Sequence, residues 1–324
     1  MKEKILITGS NGFVGSFLTS RFMGRGYEVR GMDANDPKSP TPYAFIRGDV
    51  RNPGDVKKAF EGVNAIVHLA AAHHDFGIDE KDFFDVNVTG TQNILDAADA
   101  YGVKKIIFYS SVAVYGNYEE EATEESAPDP VNPYGKSKLE AEGRVRSWAV
   151  KDTERSACII RPAVVFGPGN YANMYKLIGT IYRKRFIFVG KGDNVKSIAY
   201  VENLADATVF LYEKLKSGVD VYNYVDLPQM SIRQTVETIA KHLSLGIPRL
   251  TLPLGPVIAA AGIFDVLAKI TRYNFPITAF RIKKFNTSTR FGADKIRAAG
   301  FRQRFELSEG FHKMVEWYLS KIRR

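Results

Sequence analysis

Thr8-Gly9-Ser10-Asn11-Gly12-Phe13-Val14-Gly15 is the stretch that decides the fold. A β-branched run, residues 4–8, leads into it. An amphipathic run through residue 23 follows, with Phe13, Phe17 and Leu18 at apolar helical positions. Strand, glycine turn and helix in that order suit the phosphates of a dinucleotide. Gly9, Gly12 and Gly15 allow the tight turn and the close approach of a pyrophosphate to the backbone. The helix N-terminus meets it with free N–H groups and the positive end of the helix dipole. Three glycines alone also occur in ordinary turns, so the flanks matter. Asp33 ends the next β-branched run, 18 residues after Gly15. A carboxylate there accepts hydrogen bonds from the adenosine ribose and repels a 2′-phosphate, which predicts NAD rather than NADP.

Outward from this loop the chain alternates. Strands are expected at 27–32, 43–46, 65–69, 105–109 and 157–161, and helices at 53–61, 82–101 and 133–150. Pro133 opens the last of these, where its missing N–H costs little. Such alternation implies an α/β fold, a doubly wound parallel Rossmann sheet covered by helices on both faces. Beyond Pro162 glycine and aromatic residues become frequent through residue 192. Helices are then expected at 200–213, 231–243 and 311–321, with a strand at 221–225 that rejoins the sheet. The expected division is a dinucleotide-binding domain over 1–165, rejoined by 200–225, and a smaller interleaved substrate lobe over most of 166–324.

The reacting groups stand in Tyr134-Gly135-Lys136-Ser137-Lys138. Tyr134 and Lys138, four apart on a helix, share a face. A free tyrosine has a pKa near ~10. A neighbouring ammonium and a cationic nicotinamide both favour its phenolate, and so bring a proton acceptor within reach of neutral pH. Ser111 ends the 105–109 strand segment, at the carboxyl edge where open α/β sheets place their sites, and would hold the same substrate oxygen. His73 and His74, beside Asp75, follow the fourth strand. They read either as a polar loop or as a loop reaching substrate, and no third ligand is spaced to complete a metal site.

Taken together these motifs resemble the extended short-chain dehydrogenases/reductases, the NAD-dependent sugar epimerase/dehydratase group, over nearly the whole length. Further matching pieces are Asp49-Val50, His68-Leu69-Ala70-Ala71, Asn87-Val88-Thr89-Gly90-Thr91, Arg161-Pro162 and Tyr200-Val201-Glu202-Asn203. The resemblance implies that Asp49 and Val50 flank the adenine and that Leu69, Ala70, Ala71, Asn87 and Pro162 line the cofactor. It implies too that Lys196 stands where sugar epimerases place an arginine on the substrate diphosphate. Dehydratases of the group carry Thr-Asp-Glu at the catalytic strand end; here Val112 and Ala113 follow Ser111, which disfavours dehydration. UDP-hexose epimerases carry an asparagine where this chain has Val164, so their mode of holding a UDP-sugar is in question. Residues 167–175, 186–203 and 281–310 are similar to a narrower set, bacterial surface-polysaccharide epimerases that include enzymes acting on undecaprenyl-diphosphate-linked N-acetylglucosamine. A diphosphate-linked sugar substrate and a homodimer built on the 82–101 and 133–150 helices are what the likeness implies. A 4-ketosugar reductase, a hydroxysteroid-type dehydrogenase and a non-catalytic dinucleotide sensor remain as alternatives.

Composition sets outer bounds. The 324 residues are 45% hydrophobic and 25% charged, ordinary values for a globular chain. One cysteine, Cys158, lies in an apolar run, which suits a core position and a reducing compartment. The apolar run at 5–7 is too short for a secretory signal, so a cytoplasmic protein is expected. A formal charge of +9 favours anionic partners, but no nucleic-acid module is present. Cations are dense over 272–290, with Arg281 a candidate for the substrate diphosphate beside Lys283 and Lys284. Residues 252–270 are the most apolar. Pro253, Pro256 and Asp265 argue against a spanning helix there. A buried helix of the substrate lobe is the preferred reading, and a helix resting on a membrane surface the other.

Overall fold

The computed structural model describes residues 2–73, 79–118, 120–271 and 279–322. The first half is built of β1 (Lys4–Thr8), α1 (Phe13–Gly24), β2 (Glu28–Asp33), β3 (Ala44–Arg47), α2 (Pro53–Ala59), β4 (Ala65–His68), α3 (Glu80–Phe84), α4 (Gly90–Ala100), β5 (Lys105–Tyr109), α5 (Pro133–Ala149) and β6 (Ser156–Pro162). Then come β7 (Val164–Phe166), α6 (Asn173–Tyr182), β8 (Phe188–Val189), β9 (Ile198–Tyr200), α7 (Val201–Glu213) and β10 (Gly218–Tyr224). The chain ends with α8 (Ile232–His242), β11 (Thr251–Leu252), α9 (Leu254–Thr271), α10 (Ala279–Asn286), α11 (Asp294–Ala298) and α12 (Leu307–Ile322).

Seven strands form one sheet in the order β10-β6-β5-β4-β1-β2-β3, every pairing parallel. The doubly wound Rossmann expectation is met, and β10 returns to pair with β6. Chain order reverses between β1 and β4, so the crevice at their carboxyl ends is the topological switch point where such sheets take ligands. Alternate residues of the central strands face opposite sides. Ile5, Ile7 and Val67 pack on one face with α1 and α7; Leu6, Ile66 and Ile106 pack on the other with α2, α4 and α5. Cys158 is buried in the first of these cores. A third core, centred on Phe166, Phe188, Tyr200 and Phe311, lies under the lobe.

Two expectations need correction. The helix expected over 82–101 is not uniform: α3 and α4 are joined by one π turn, Asp85–Thr89. Asn87 lies inside that turn, and its side chain makes three hydrogen bonds away from its own helix, which the extra residue per turn accommodates. The helix expected as buried over 252–270 begins at Leu254, and Gly255, Pro256, Ala259 and Ala260 are exposed, with Val257 and Ile258 only half-buried. Apolarity there reflects a surface; Pro256 is accommodated because it falls in the first turn. Among the described residues no helix is long and apolar enough to cross a membrane.

Candidate active site

The glycine loop is held shut by its own backbone. Gly9 takes φ +70, and its N–H donates to the Met32 carbonyl at 2.8 Å. A Cβ on Gly15 would stand 2.1 Å from the Gly9 carbonyl oxygen, so the first turn of α1 sits directly on the loop only because that atom is missing. Gly12 N–H also bonds the Gly9 carbonyl, at 3.0 Å. Phe13 and Val14 turn toward the lobe core, Phe13 lying edge-on to Phe17 at 5.8 Å. At the end of β2, Asp33 accepts the Asn11 N–H at 3.1 Å and the Asn35 N–H at 2.9 Å. The Asn11 amide donates to the Asn35 carbonyl. An ionised carboxylate accepts about four hydrogen bonds, so Asp33 keeps capacity for ribose hydroxyls. Gly15→Ala should weaken NAD binding about 10- to 100-fold, the cost of overpacking a backbone contact. Calorimetric titration would check this, and native affinity in that variant would contradict the loop's assignment.

A directional hydrogen-bond chain ties this loop to the catalytic helix. Leu69 and Ala70 N–H groups both donate to Thr8 Oγ1, at 3.2 Å. Thr8 Oγ1 lies 2.6 Å from His68 Nδ1, and His68 Nε2 lies 3.1 Å from Thr91 Oγ1. Thr91 donates its own proton to the Asn87 carbonyl at 2.5 Å. Thr91 must then accept from His68 Nε2–H, which makes Nδ1 the acceptor of the Thr8 proton. Asn87 continues the chain: its Oδ1 accepts the Ala72 N–H at 2.8 Å, and its Nδ2 donates to the Ala72 carbonyl and to Ser137 Oγ. Ser137 donates to the Tyr134 carbonyl at 2.8 Å.

His68 is wholly buried, and burial with nearby Lys138 lowers its pKa to about 3 from 6.5. The unfolded chain therefore binds more protons than the folded chain between these limits. The stability this group contributes is complete above 6.5 and is lost as pH falls toward 3. Denaturant melts at pH about 7 and about 5 should show lower stability at the acid value, with a smaller difference in His68→Gln. An unchanged pH slope in that variant would remove His68 from the account.

Tyr134 and Lys138 ride on α5. Asn132 caps the helix by accepting the Gly135 N–H at 2.7 Å, and Pro133 fills its first position. Gly135 lets α5 approach the strand end: a Cβ there would be 2.5 Å from the Ala113 carbonyl oxygen. Ser111 caps a short 3-10 turn, Val112–Tyr115, accepting the Ala113 N–H at 3.1 Å. The same close approach therefore brings Ser111 and the start of α5 together. Tyr134 is half-buried, its ring 6.2 Å from that of Phe83. Lys138 is 2% exposed, with Nζ 4.4 Å from the Phe108 ring centroid. Burial lowers its pKa to about 7, partly opposed by Glu142 one turn on. Where Lys138 keeps its proton, its ammonium is a desolvated charge, which acts on its neighbours far more strongly than a solvated one.

Behind them lies a network that sequence reasoning missed. Glu142 and Arg161, 1% and 3% exposed, form a two-pronged pair at 2.8 and 2.6 Å. Ser110 donates to Glu142 at 2.5 Å, Arg161 to Tyr115 Oη, and Tyr115 to Asn223. Glu142 lies eight residues after Tyr134 and four after Lys138, a spacing that repeats the catalytic face and could have flagged it.

The remaining expected residues are spread more widely. Val50 is buried, its Cγ2 the atom a Cβ on Gly90 would meet at 2.6 Å. Asp49 is gripped by Arg51 at 2.6 and 3.0 Å, and that hydrogen bonding lowers its pKa. Ala71 offers its carbonyl to the exposed His73 ring at 3.2 Å, and Pro162 is buried at the end of β6. Lys196 is half-buried in the lobe on a segment bridged to Thr289. His74, Asp75 and Arg272 fall outside the described residues. Arg281 is on α10, but its side chain, like that of Lys284, is outside them too.

A glycine cradle that a Cβ would fill and an acid at the end of β2 suit a dinucleotide, and Tyr134 and Lys138 share one helix whose start lies against the turn capped by Ser111. The chain belongs to the NAD dependent epimerase/dehydratase family, whose model matches residues 5–224, and NAD is its cofactor. It is 37% identical over 318 residues to the N-acetyl-alpha-D-glucosaminyl-diphospho-ditrans,octacis-undecaprenol 4-epimerase of Escherichia coli O157:H7, covering 98% of this chain and 96% of that one. A UDP-glucose 4-epimerase of Vibrio cholerae is 30% identical over 267 residues, 78% of this chain and 79% of that one. The UDP-glucuronic acid 4-epimerase of Bacillus cereus, solved with NAD, shares the fold at TM-score 0.78 and 22% identity, covering 98% of this chain and 99% of that one.

Proposed function

We propose that this protein is an NAD-dependent 4-epimerase that interconverts N-acetylglucosamine and N-acetylgalactosamine on undecaprenyl diphosphate, within surface-polysaccharide biosynthesis. The observation that carries this reading is the end-to-end likeness to the Escherichia coli enzyme of that name, joined to an intact Ser111, Tyr134 and Lys138. Val164, 56% exposed at the start of β7, supports a carrier other than UDP, because a valine offers no amide to a nucleotide.

Bound NAD would supply reversible hydride acceptance at the sugar carbon. The chain does the rest. Tyr134, as phenolate, takes the proton of the sugar 4-hydroxyl and gives it back on the return step. Ser111 holds that oxygen, and the desolvated Lys138 ammonium favours the phenolate. Gly9, Asn11, Gly12, Phe13, Val14, Gly15 and Asp33 hold the adenosine diphosphate half. Asp49 and Val50 would flank the adenine, and Leu69, Ala70, Ala71, Asn87 and Pro162 would line the cofactor. His73, Lys196 and Arg281 serve the sugar and its diphosphate. The 4-keto sugar turns about its diphosphate linkage and so presents its other face. The protein works in the cytoplasm at the inner face of the membrane, as a homodimer through α4 and α5.

Net redox change is zero. Catalytic amounts of NAD should therefore sustain turnover, and deuterium placed at C4 should reappear at C4 of the product. Stoichiometric consumption of nicotinamide would instead make the protein a reductase or dehydrogenase.

A further inference from the structure

The chain's positive charge is concentrated in two stretches of the lobe. Residues 167–192 and 238–293 hold 13 Lys and Arg and a single acid, Asp265, whereas the rest of the chain holds 32 Lys and Arg against 35 Asp and Glu. The fold joins these two stretches. β8 pairs with β11 in parallel, Phe188 opposite Thr251 and Val189 opposite Leu252. Phe188 N–H donates to the Leu250 carbonyl at 3.0 Å, which sets Ile187 beside Leu250. α10 is tied in through Asn194, which donates to the Phe285 carbonyl at 2.8 Å.

Large apolar side chains crowd the same place without being covered. Ile187 is 42% exposed, Leu250 56%, Leu252 37% and Phe285 43%. Arg185, Arg249 and Lys283 are exposed within two residues of them. α9 leaves β11 directly, and its first turns are exposed and apolar. Exposed apolar residues fringed by cations, with Asp193 beside Asn194 an exposed acid at their edge, suit the boundary of an anionic bilayer. Such a boundary takes apolar side chains into the acyl region and draws cations to its phosphates. A protein partner for so basic a face would have to be strongly acidic, and half of such an interface would still be ordinary polar surface.

We propose that the face formed by β8, β11, the start of α9 and α10 docks on an anionic membrane surface and so brings the lobe to a lipid-anchored substrate. This deepens the function proposed above and rests on its lipid carrier for its purpose, though not for its observations. The face would lie down on the membrane, since among the described residues no helix is long and apolar enough to span it.

The test is sedimentation of the full-length protein with phosphatidylglycerol-containing vesicles and with phosphatidylcholine vesicles. Binding is expected to the first, to weaken with salt and to be much lower for the second. Ile187→Glu/Leu250→Glu and, separately, Arg185→Glu/Arg249→Glu should each reduce binding on the order of 100-fold, with melting temperature and NAD affinity unchanged. Both pairs are exposed, so folding is not at stake. Absence of vesicle binding in the native protein overturns the proposal, as does binding that neither variant weakens. Loss in these variants of a dimer seen by light scattering, without vesicle binding, would make the face a protein interface instead. Vesicle binding with no turnover of a lipid-linked sugar upholds the surface and removes the carrier assignment. Turnover of that sugar in detergent without vesicle binding does the reverse.

Discussion

Tyr134→Phe is expected to lower kcat by about 100- to 10,000-fold, the usual worth of a positioned acid–base group, while NAD binding persists. The substitution removes one oxygen and keeps the ring that lies beside Phe83, so packing changes little. What is lost is the group that must hold a proton for part of each cycle. A tyrosine is poorly suited to that task at its ordinary pKa of about 10, and a neighbouring ammonium favours its phenolate. Lys138 is held on the same face of α5, stripped of water, with its own pKa brought down to about 7 by burial. Lys138→Met should therefore reduce activity as well, and should move the acid limb of the pH–rate profile, where activity rises as the base loses its proton, to higher pH, because a phenolate without its cation forms at higher pH. Steady-state kinetics with an independent NAD titration separates loss of chemistry from loss of binding. Full activity in Tyr134→Phe would end the assignment.

Arg161→Met should destabilise the protein by about 3–5 kcal/mol, the cost of leaving a buried carboxylate without its partner. Glu142 would keep only Ser110 as a buried hydrogen-bond donor, since Arg146 reaches it at just 3.8 Å and is itself half-exposed. Denaturant unfolding would measure the loss. The double variant Glu142→Leu/Arg161→Met should recover much of it, because two apolar groups of similar volume need no pairing. Recovery of stability without recovery of activity is the expected split. The pair also fixes Ser110, the residue before Ser111, and stands one turn from Lys138. Stability within about 1 kcal/mol of native for Arg161→Met would mean that the pair is not buried in solution.

The sheet and the cofactor loop were legible because local signals agreed. Residues 5–7 and 65–67 are continuous apolar runs, the mark of strands buried on both faces, and Gly9, Gly12 and Gly15 follow the first of them. That Tyr134 and Lys138 lie on one helix was legible from their spacing and from Pro133 before them. What escaped reading depended on contacts distant in the chain. Glu142 carries only its helical spacing after Tyr134 and Lys138 as a local signal; the partners of Ser137 and Glu142 are Asn87, 50 residues away, and Arg161, 19 away. The π turn at Asn87 is a response to those bonds, and no helical periodicity announces it. β8 and β11 are two residues each, too short for any alternation to show. The start of the apolar stretch, residues 252–260, is exposed or half-buried rather than interior, because hydrophobicity alone does not distinguish a core from an uncovered surface.

The most direct measurement is proton NMR of the sugar formed by purified protein with catalytic NAD, given undecaprenyl-diphosphate-linked N-acetylglucosamine and, in parallel, UDP-N-acetylglucosamine. The account predicts N-acetylgalactosamine from the lipid-linked substrate and little or none from the nucleotide sugar. Unchanged configuration at C4 in both would contradict it.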